Sequence, residues 1–298
     1  MALILSAAST TTPGRAYTQE TVQAQLVRTG SIEDIRMREA SGVATSRTYP
    51  GIFWIHNDSG GGPFIFAINL EGQMLATFEV TGAHARDWED IALGPCPQSD
   101  ESCLYIADTG DNNRRREQTS IYIVPEPDPA IGSPNSIIAT APAQRLRFHY
   151  QGHNAYDVEA IAVAPDGTIT LISKGRRAGS GIVEFRIAAG MVSQGEEVQA
   201  DIVGRLPIVP VRYLGRWVTG AAISAGGERL VVRTYTELYF FRRGPTGQLT
   251  LLPPVCWIGA SEPQGEAVDF LDDGSVVLIS EKQANRYGTV FIATCPEE

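Results

Sequence analysis

The sequence predicts an all-β chain folded as a five-bladed β-propeller, with a six-bladed ring as the alternative. Three observations carry this: a short segment repeated five times, an apolar strand after each copy, and a surplus strand before the first. The copies are Ala40–Ala44 (ASGVA), Asp87–Ala92 (DWEDIA), Asp157–Ala162 (DVEAIA), Val218–Ile223 (VTGAAI) and Gln264–Val268 (QGEAV). Their key positions, Ser41, Glu89, Glu159, Thr219 and Glu266, are spaced 48, 70, 60 and 47 residues apart, which suits four-stranded blades with variable loops.

Each copy is followed by a second apolar strand that ends in polar residues: Ile52–Ile55, Leu104–Ala107, Ile169–Ser173, Leu230–Val232 and Val276–Ser280. Turn signals such as Pro165-Asp166-Gly167 and Asp272-Asp273-Gly274 separate first from second strands. Third strands are expected at 64–70, 120–124, 182–187, 238–242 and 289–294, and fourth strands at 74–80, 145–150, 197–206 and 249–258. The last repeat lacks a fourth strand, so Val22–Ile32 is expected to complete the last blade and leave no open edge. Pro125–Pro142, rich in Pro, Ala and Ser, reads as a surface loop, although a degenerate sixth blade in the 70-residue interval is the alternative. The chain is thus one propeller domain over 22–298, with 1–21 as a disordered tail or a clipped signal remnant.

The chain has 298 residues, 43% hydrophobic and 19% charged, with a formal net charge of −10. That acidity argues against nucleic acid and against anionic membrane surfaces, both of which need a basic face. No apolar run reaches the length of a membrane-spanning helix. The four cysteines read as two pairs, Cys96 with Cys103 across a six-residue turn and Cys256 with Cys295, and point to a secreted or periplasmic protein. Four free buried thiols are the alternative.

In a propeller the first strand of each blade lines the central channel, and its start lies on the same face as the end of the second strand. Ser41, Glu89, Glu159, Thr219 and Glu266 are therefore expected to converge on one axis. Three carboxylates aimed at one point cannot all stay ionised without a cation or a proton between them. Five hard oxygen donors suit Ca2+, which takes six to eight, better than Mg2+. Polar channel residues solvated by trapped water are the alternative.

The order Ser41, Glu89, Glu159, Thr219, Glu266, one per blade, resembles the central calcium site of the calcium-activated nucleotidase (apyrase) family, with Thr in place of a Ser. Those proteins are five-bladed propellers that hydrolyse nucleoside di- and triphosphates. The resemblance rests on the five positions and the blade spacing. A second one, carried by Asp87–Ala92, Tyr105–Asn113 and Ile121–Pro127, is to secreted bacterial propeller proteins of unassigned activity.

Around the expected ion, the residues after the second strands form a wall: His56, Asn57, Asp58, Asp108, Asp111, Asn112, Arg114, Lys174, Arg176, Arg177, Arg233, Tyr235, Glu281 and Lys282. The cations among them are expected to bind an anionic small molecule, Arg as a planar fork and Lys as a point charge. Asp87, Asp90 and Asp108 are candidates to orient an attacking water beside the ion. Arg115 and Arg116 read as solvated loop residues, and Asp108–Asn113 as a tight turn rather than a second calcium loop. No nucleophile elbow, zinc motif or phosphate loop is present.

Three functional classes follow. The first is a calcium-dependent hydrolase of a phosphorylated small molecule. The second is a glycoside-processing enzyme using two of Asp87, Glu159 and Glu266 free of metal. The third is a non-catalytic propeller in which calcium staples the ring. Trp88 alternates with Glu89 and is expected in the core.

Overall fold

The computed structural model describes residues 20–176, 181–192 and 197–296; the expected tail up to residue 19 and Arg177 of the wall lie outside them. The chain opens with β1 (Thr21–Gln23) and β2 (Gln25–Ile32), then forms β3 (Ala40–Thr45), β4 (Phe53–Asn57), β5 (Phe64–Ile68) and β6 (Met74–Glu79). Next come β7 (Trp88–Pro95), β8 (Ser102–Asp108), β9 (Thr119–Pro125), β10 (Ile137–Ala139) and β11 (Gln144–Tyr150). They are followed by β12 (Val158–Val163), β13 (Ile169–Ser173), β14 (Ile182–Ile187) and β15 (Val198–Leu206). The chain ends with β16 (Val218–Ile223), β17 (Arg229–Thr234), β18 (Glu237–Arg243), β19 (Leu249–Trp257), β20 (Gly265–Phe270), β21 (Val276–Ser280) and β22 (Gly288–Thr294).

Antiparallel meanders run β3 to β6, β12 to β15, β16 to β19 and β20 to β22, and β7, β8, β9 and β11 form another. β11 and β15 pair in parallel through Phe148–Tyr150 and Val198–Ala200, which fuses two meanders into one eight-stranded sheet. The inner strands β3, β7, β12, β16 and β20 each touch the next, and β20 touches β3, so they close a ring.

The sequence makes this arrangement because the second strands are apolar on both faces. All residues of β13 (ITLIS) and β21 (VVLIS) are buried, as sheet packed on both sides requires, whereas the outer strand β15 (VQADIVGRL) is mostly exposed. In three of the five connections first and second strands are joined by one recurring turn, in which Gly167 (φ 79°), Gly227 (φ 84°) and Gly274 (φ 83°) take the left-handed position and donate to Ala164 O, Ser224 O and Leu271 O. Among the described residues the buried apolar side chains divide into five clusters, each between successive inner strands and their sheets. Trp54 and Trp88 are fully buried in one of them with Phe78 and Tyr122, so Trp88 is a core residue as expected. Truncating either tryptophan to alanine is expected to cost about 3–5 kcal/mol.

The ring is closed twice. β2 pairs antiparallel with β22, as the surplus strand was expected to do, but that strand is broken at the buried Ala24. Its first three residues, Thr21–Gln23, instead extend the neighbouring sheet in parallel with β19. The Cys256–Cys295 disulfide (S–S 2.03 Å) joins the same two sheets, and Cys96–Cys103 (2.01 Å) bridges the β7–β8 hairpin; among the described residues no cysteine is free. The Pro125–Pro142 segment is not wholly a loop, since Ile137–Ala139 lies in parallel against Thr77–Glu79 and covers the outer edge of β6. Among the described residues no helix is long and apolar enough to cross a membrane.

Candidate metal centre

Each inner strand carries one irregularity in its pairing, and all five fall at the positions marked by the repeat. Pairing skips from Trp88 to Asp90, from Val158 to Ala160, from Val218 to Gly220 and from Gly265 to Ala267, which leaves Glu89, Glu159, Thr219 and Glu266 without a ladder partner. In β3 the skip runs from Ala40 to Val43 and frees Ser41 and Gly42. A bulge re-aims the extra side chain out of the sheet's alternation, and all five of these side chains are buried, at 1–5% exposure. Residues after the second strands, among them Asp58, Lys174, Tyr235 and Glu281, stand beside the bulges, held by backbone bonds such as Lys174 N–H to Asp157 O (2.9 Å) and Glu281 N–H to Gln264 O (2.8 Å).

The bulges gather acidic groups. Ligand-capable oxygens of Glu89, Asp157 and Glu159 lie within 4.8 Å of one another, and so do those of Asp58, Asp87 and Glu89. Glu159 Oε1, Asp157 Oδ2, Asp58 Oδ1 and Thr219 Oγ1 are buried without a partner. At such separations each pair of ionised carboxylates repels by about 3 kcal/mol at an effective dielectric of about 20. Burial and this mutual repulsion push the carboxyls up: Asp58 to about 7, Glu159 to about 8 and Glu281 to about 9, with Glu89 also raised; Glu266 is raised by burial, against the pull of Lys174 and Arg233.

One cation is built in. Lys174 Nζ donates to Glu159 Oε2 at 2.5 Å, and the surrounding Glu159, Tyr235, Glu89 and Glu266 hold its ammonium above the usual range against the cost of burial. Lys174 therefore faces inward to the ring, and its charge is already engaged there rather than free for a phosphate. Arg233 is likewise committed: it is fully buried, donates to Ala267 O (2.6 Å) and Ile279 O (3.2 Å), and pairs with Glu262. It pins β17 to β20 and β21 and offers no free charge at the mouth.

The remaining candidates divide in the same way. Asp90 sits below the ring, where Oδ1 accepts from Ile91 N (2.9 Å) and Oδ2 from Ile161 N (3.0 Å) and Ala221 N (3.3 Å), so it ties three inner-strand segments and orients no water. Asp108 pairs with Arg116 (2.9 Å), which is buried and also donates to Gly110 O, contrary to the solvated loop expected for it; Arg115 is exposed. Asp111 accepts from Arg116 N (2.7 Å) and its own N–H reaches Asp157 Oδ1 (3.0 Å), which makes Asp108–Asn113 a tight turn that also positions Asp157. Of the three catalytic candidates, only Asp87 faces the acidic cluster.

His56 is fully buried, neutral (pushed down to about 4 by burial), with Nδ1 on Asn57 O. Asn57 accepts from Arg38 and Glu39 N–H and donates to Arg36 O, so it anchors the preceding loop. Tyr235 and Glu266 lie against each other, and proximity to that carboxylate adds to the burial that raises the phenol. The outer rim holds Arg114, Asn112, Arg176 and Lys282. Arg176 pairs with Asn112 and stacks over Trp217 (5.1 Å), as Arg212 does (5.5 Å), while Lys282 lies over Tyr287 (5.4 Å). Arg114 adopts φ 52° in its turn.

Asp157 joins the acidic cluster without having been expected there, although Asp157-Val158-Glu159 repeats the spacing of Asp87-Trp88-Glu89. Two open grooves of about 1010 and 920 Å³ lie elsewhere, against Leu206–Val209 and around Arg242 and Pro253.

No family model matches the chain, and no curated protein sequence matches it. Among solved structures, a protein described as an oxidoreductase (glucose dehydrogenase) from Thermus thermophilus aligns with a TM-score of 0.51 and 11% identity over 91% of this chain and 100% of its own. The soluble aldose sugar dehydrogenase of Escherichia coli aligns at TM-score 0.47, 12% identity, 91% and 99% coverage. The periplasmic gluconolactonase of Pseudomonas aeruginosa aligns at 0.42, 13%, 84% and 70%. At such identity the first likeness shows the fold alone: this chain is an all-β propeller. The resemblance to nucleotidases rests on the five ring positions alone.

Proposed function

We propose that this chain is a secreted or periplasmic propeller of five blades that binds a hard divalent cation, calcium in preference to magnesium, and uses it to hydrolyse an anionic small molecule. Five inner strands in a closed cycle and five interstrand clusters support the blade count. Two disulfides support an oxidising compartment.

The observation that carries the metal reading is the five pairing skips at the five repeat positions, which turn buried oxygens inward and leave Glu159 Oε1, Asp157 Oδ2 and Thr219 Oγ1 unpartnered. Orphaned buried oxygens cost about 1–3 kcal/mol each, and a cation removes that cost together with the repulsion. The residues fit calcium: all donors are oxygen, and the flexible geometry of that ion tolerates an irregular set. Glu89, Asp157 and Glu159 would hold it, with Thr219 beside them. An ion there supplies charge to bind an oxyanion and polarise it.

The chain's own residues do the rest. Lys174 offsets part of the acidity, and Glu281, which burial and the neighbouring Glu266 and Asp58 push up to about 9 in the metal-free protein, is the candidate to give a proton to a leaving group. Arg176, on the rim over Trp217, is the guanidinium nearest to the role once expected of Lys174 and Arg233. A metal-free mouth this acidic repels an anion, so anionic ligands are expected to bind only after the cation.

Calorimetric titration of calcium into chelator-stripped protein tests the reading, with phosphate esters, nucleotides among them, then assayed for calcium-dependent release. Tight binding lost in Glu159→Gln supports it. Absence of binding, with glycoside turnover unaffected by chelator, would replace it with paired-carboxylate chemistry.

A further inference from the structure

We infer that the mouth seats two divalent cations side by side, bridged by the carboxylate of Glu89, rather than a single ion on the axis. This rests on the reading that the ring binds a cation at all, and adds a second seat made by Asp58 and Asp87.

The acidic groups form two sets that share one member. Glu89 belongs both to the set with Asp157 and Glu159 and to the set with Asp58 and Asp87, and within each set the oxygens lie within 4.8 Å of one another. The local sequence explains the pairing: two Asp-x-Glu segments, Asp87-Trp88-Glu89 and Asp157-Val158-Glu159, enter adjacent inner strands in the same way, and each supplies two donors to one seat. Glu89 lies between them because β7 touches both β3, whose partner β4 leads into Asp58, and β12.

Glu89 is only 4% exposed, yet among the described residues no hydrogen bond or ion pair reaches its carboxylate, whereas the backbone of the same residue is fixed by Ser41 Oγ. In the deep set Asp157 Oδ2 and Glu159 Oε1 are orphaned, and in the rim set so is Asp58 Oδ1. Gly110 packs against Glu89 and Asp87: a Cβ there would collide with Glu89 Oε1 and with the Asp87 carboxyl, so a larger residue would displace these two groups.

Charge sets the number of ions. The two sets contain five carboxylates, and among the described residues Lys174 is the cation bonded to one of them, through Glu159, which leaves four negative charges in the ionised state before the nearby Arg116, itself paired with Asp108, is considered. One divalent ion neutralises half of these and two neutralise all. Cations that share a bridging ligand also present two positive centres to one oxyanion, the arrangement that clamps both oxygens of an ester undergoing displacement.

The stoichiometry decides it. Chelator-stripped protein equilibrated with calcium chloride and analysed by titration calorimetry and atomic emission should hold two ions per chain. Asp58→Asn should lose one and keep the other, Asp157→Asn should lose the other, and Glu89→Gln should weaken both at least tenfold, with circular dichroism reporting that each variant is folded. One ion per chain in the unsubstituted protein overturns the second seat and leaves the proposed function standing. No ion at all overturns both.

Discussion

Glu89 and Asp90 are consecutive, both buried, and handled in opposite ways. The Asp90 carboxylate accepts three backbone N–H bonds from Ile91, Ile161 and Ala221, whereas that of Glu89 accepts none among the described residues. Burial raises both carboxyls, so a displaced titration does not separate them. What separates them is the use of their lone pairs. A pairing skip one residue long sends Glu89 to the mouth and keeps Asp90 between the inner strands. Arg116 with Asp108 and Arg233 with Glu262 follow the Asp90 pattern, and Asp157 stands between the two, with Oδ1 accepting from Asp111 N–H and Oδ2 unpartnered.

Exchanging the two residues gives the largest contrast. Asp90→Ala should cost about 3–5 kcal/mol in denaturant unfolding, with or without calcium, because it orphans three buried N–H groups. Glu89→Gln should leave the chelated protein as stable as before or slightly more so, since it removes a repelled charge. It should instead lose most of the gain from calcium, which is about 2.7 kcal/mol for a ligand at a hundred times its dissociation constant. Equal losses in the two variants under chelation would end the distinction.

Acidity sharpens the comparison from a second side. Carboxyls with raised folded values bind protons more tightly folded than unfolded. Their contribution is fully present below the ordinary carboxylate range near pH 4 and is lost as pH rises through the folded values, about 7 for Asp58, 8 for Glu159 and 9 for Glu281. The melting temperature of chelated protein should therefore fall between pH 6.5 and pH 9, above the range in which the buried His56, pushed down to about 4, opposes the trend, and each fully linked proton is worth about 1.4 kcal/mol per pH unit there. Saturating calcium should flatten that fall, because the ion takes the place of the protons. A slope unaffected by calcium would mean that these carboxyls do not meet the ion.

The sequence made the ring legible through its period. Five small or acidic residues at strand starts can be read without coordinates, and so can the Cys96–Cys103 hairpin, because spacing alone limits what a strand-to-strand turn can bridge. The direction of charge could not be read. Lys174 and Arg233 occupy the strand ends expected of them, yet the carboxylate each meets is set by the fold: Lys174 turns to Glu159 on the bulge of the paired strand, and Arg233 to Glu262 ahead of the next inner strand. Asp157 is legible only through the match of Asp157-x-Glu159 with Asp87-x-Glu89, because its place in the cluster depends on the 108–113 turn that packs against it. The break at Ala24 and the strand at Ile137–Ala139 were hidden because both pair in parallel with outer edges, which short apolar runs do not announce.

Ser41 carries the smallest expected effect and tests the geometry most directly. Its hydroxyl donates to the backbone oxygen of Glu89 at 2.5 Å, so in the metal-free protein it holds the neighbouring bulge rather than waiting as a ligand. Ser41→Ala should cost about 1 kcal/mol in chelated protein, the ordinary worth of one such bond. If Ser41 also turns to the ion, the loss should grow when calcium is present; if it only fixes the bulge, calcium affinity should drop by no more than a few fold. A much larger drop would move Ser41 from the support of Glu89 into the set of donors itself, and the bulge would then be shaped by the ion rather than by the strand.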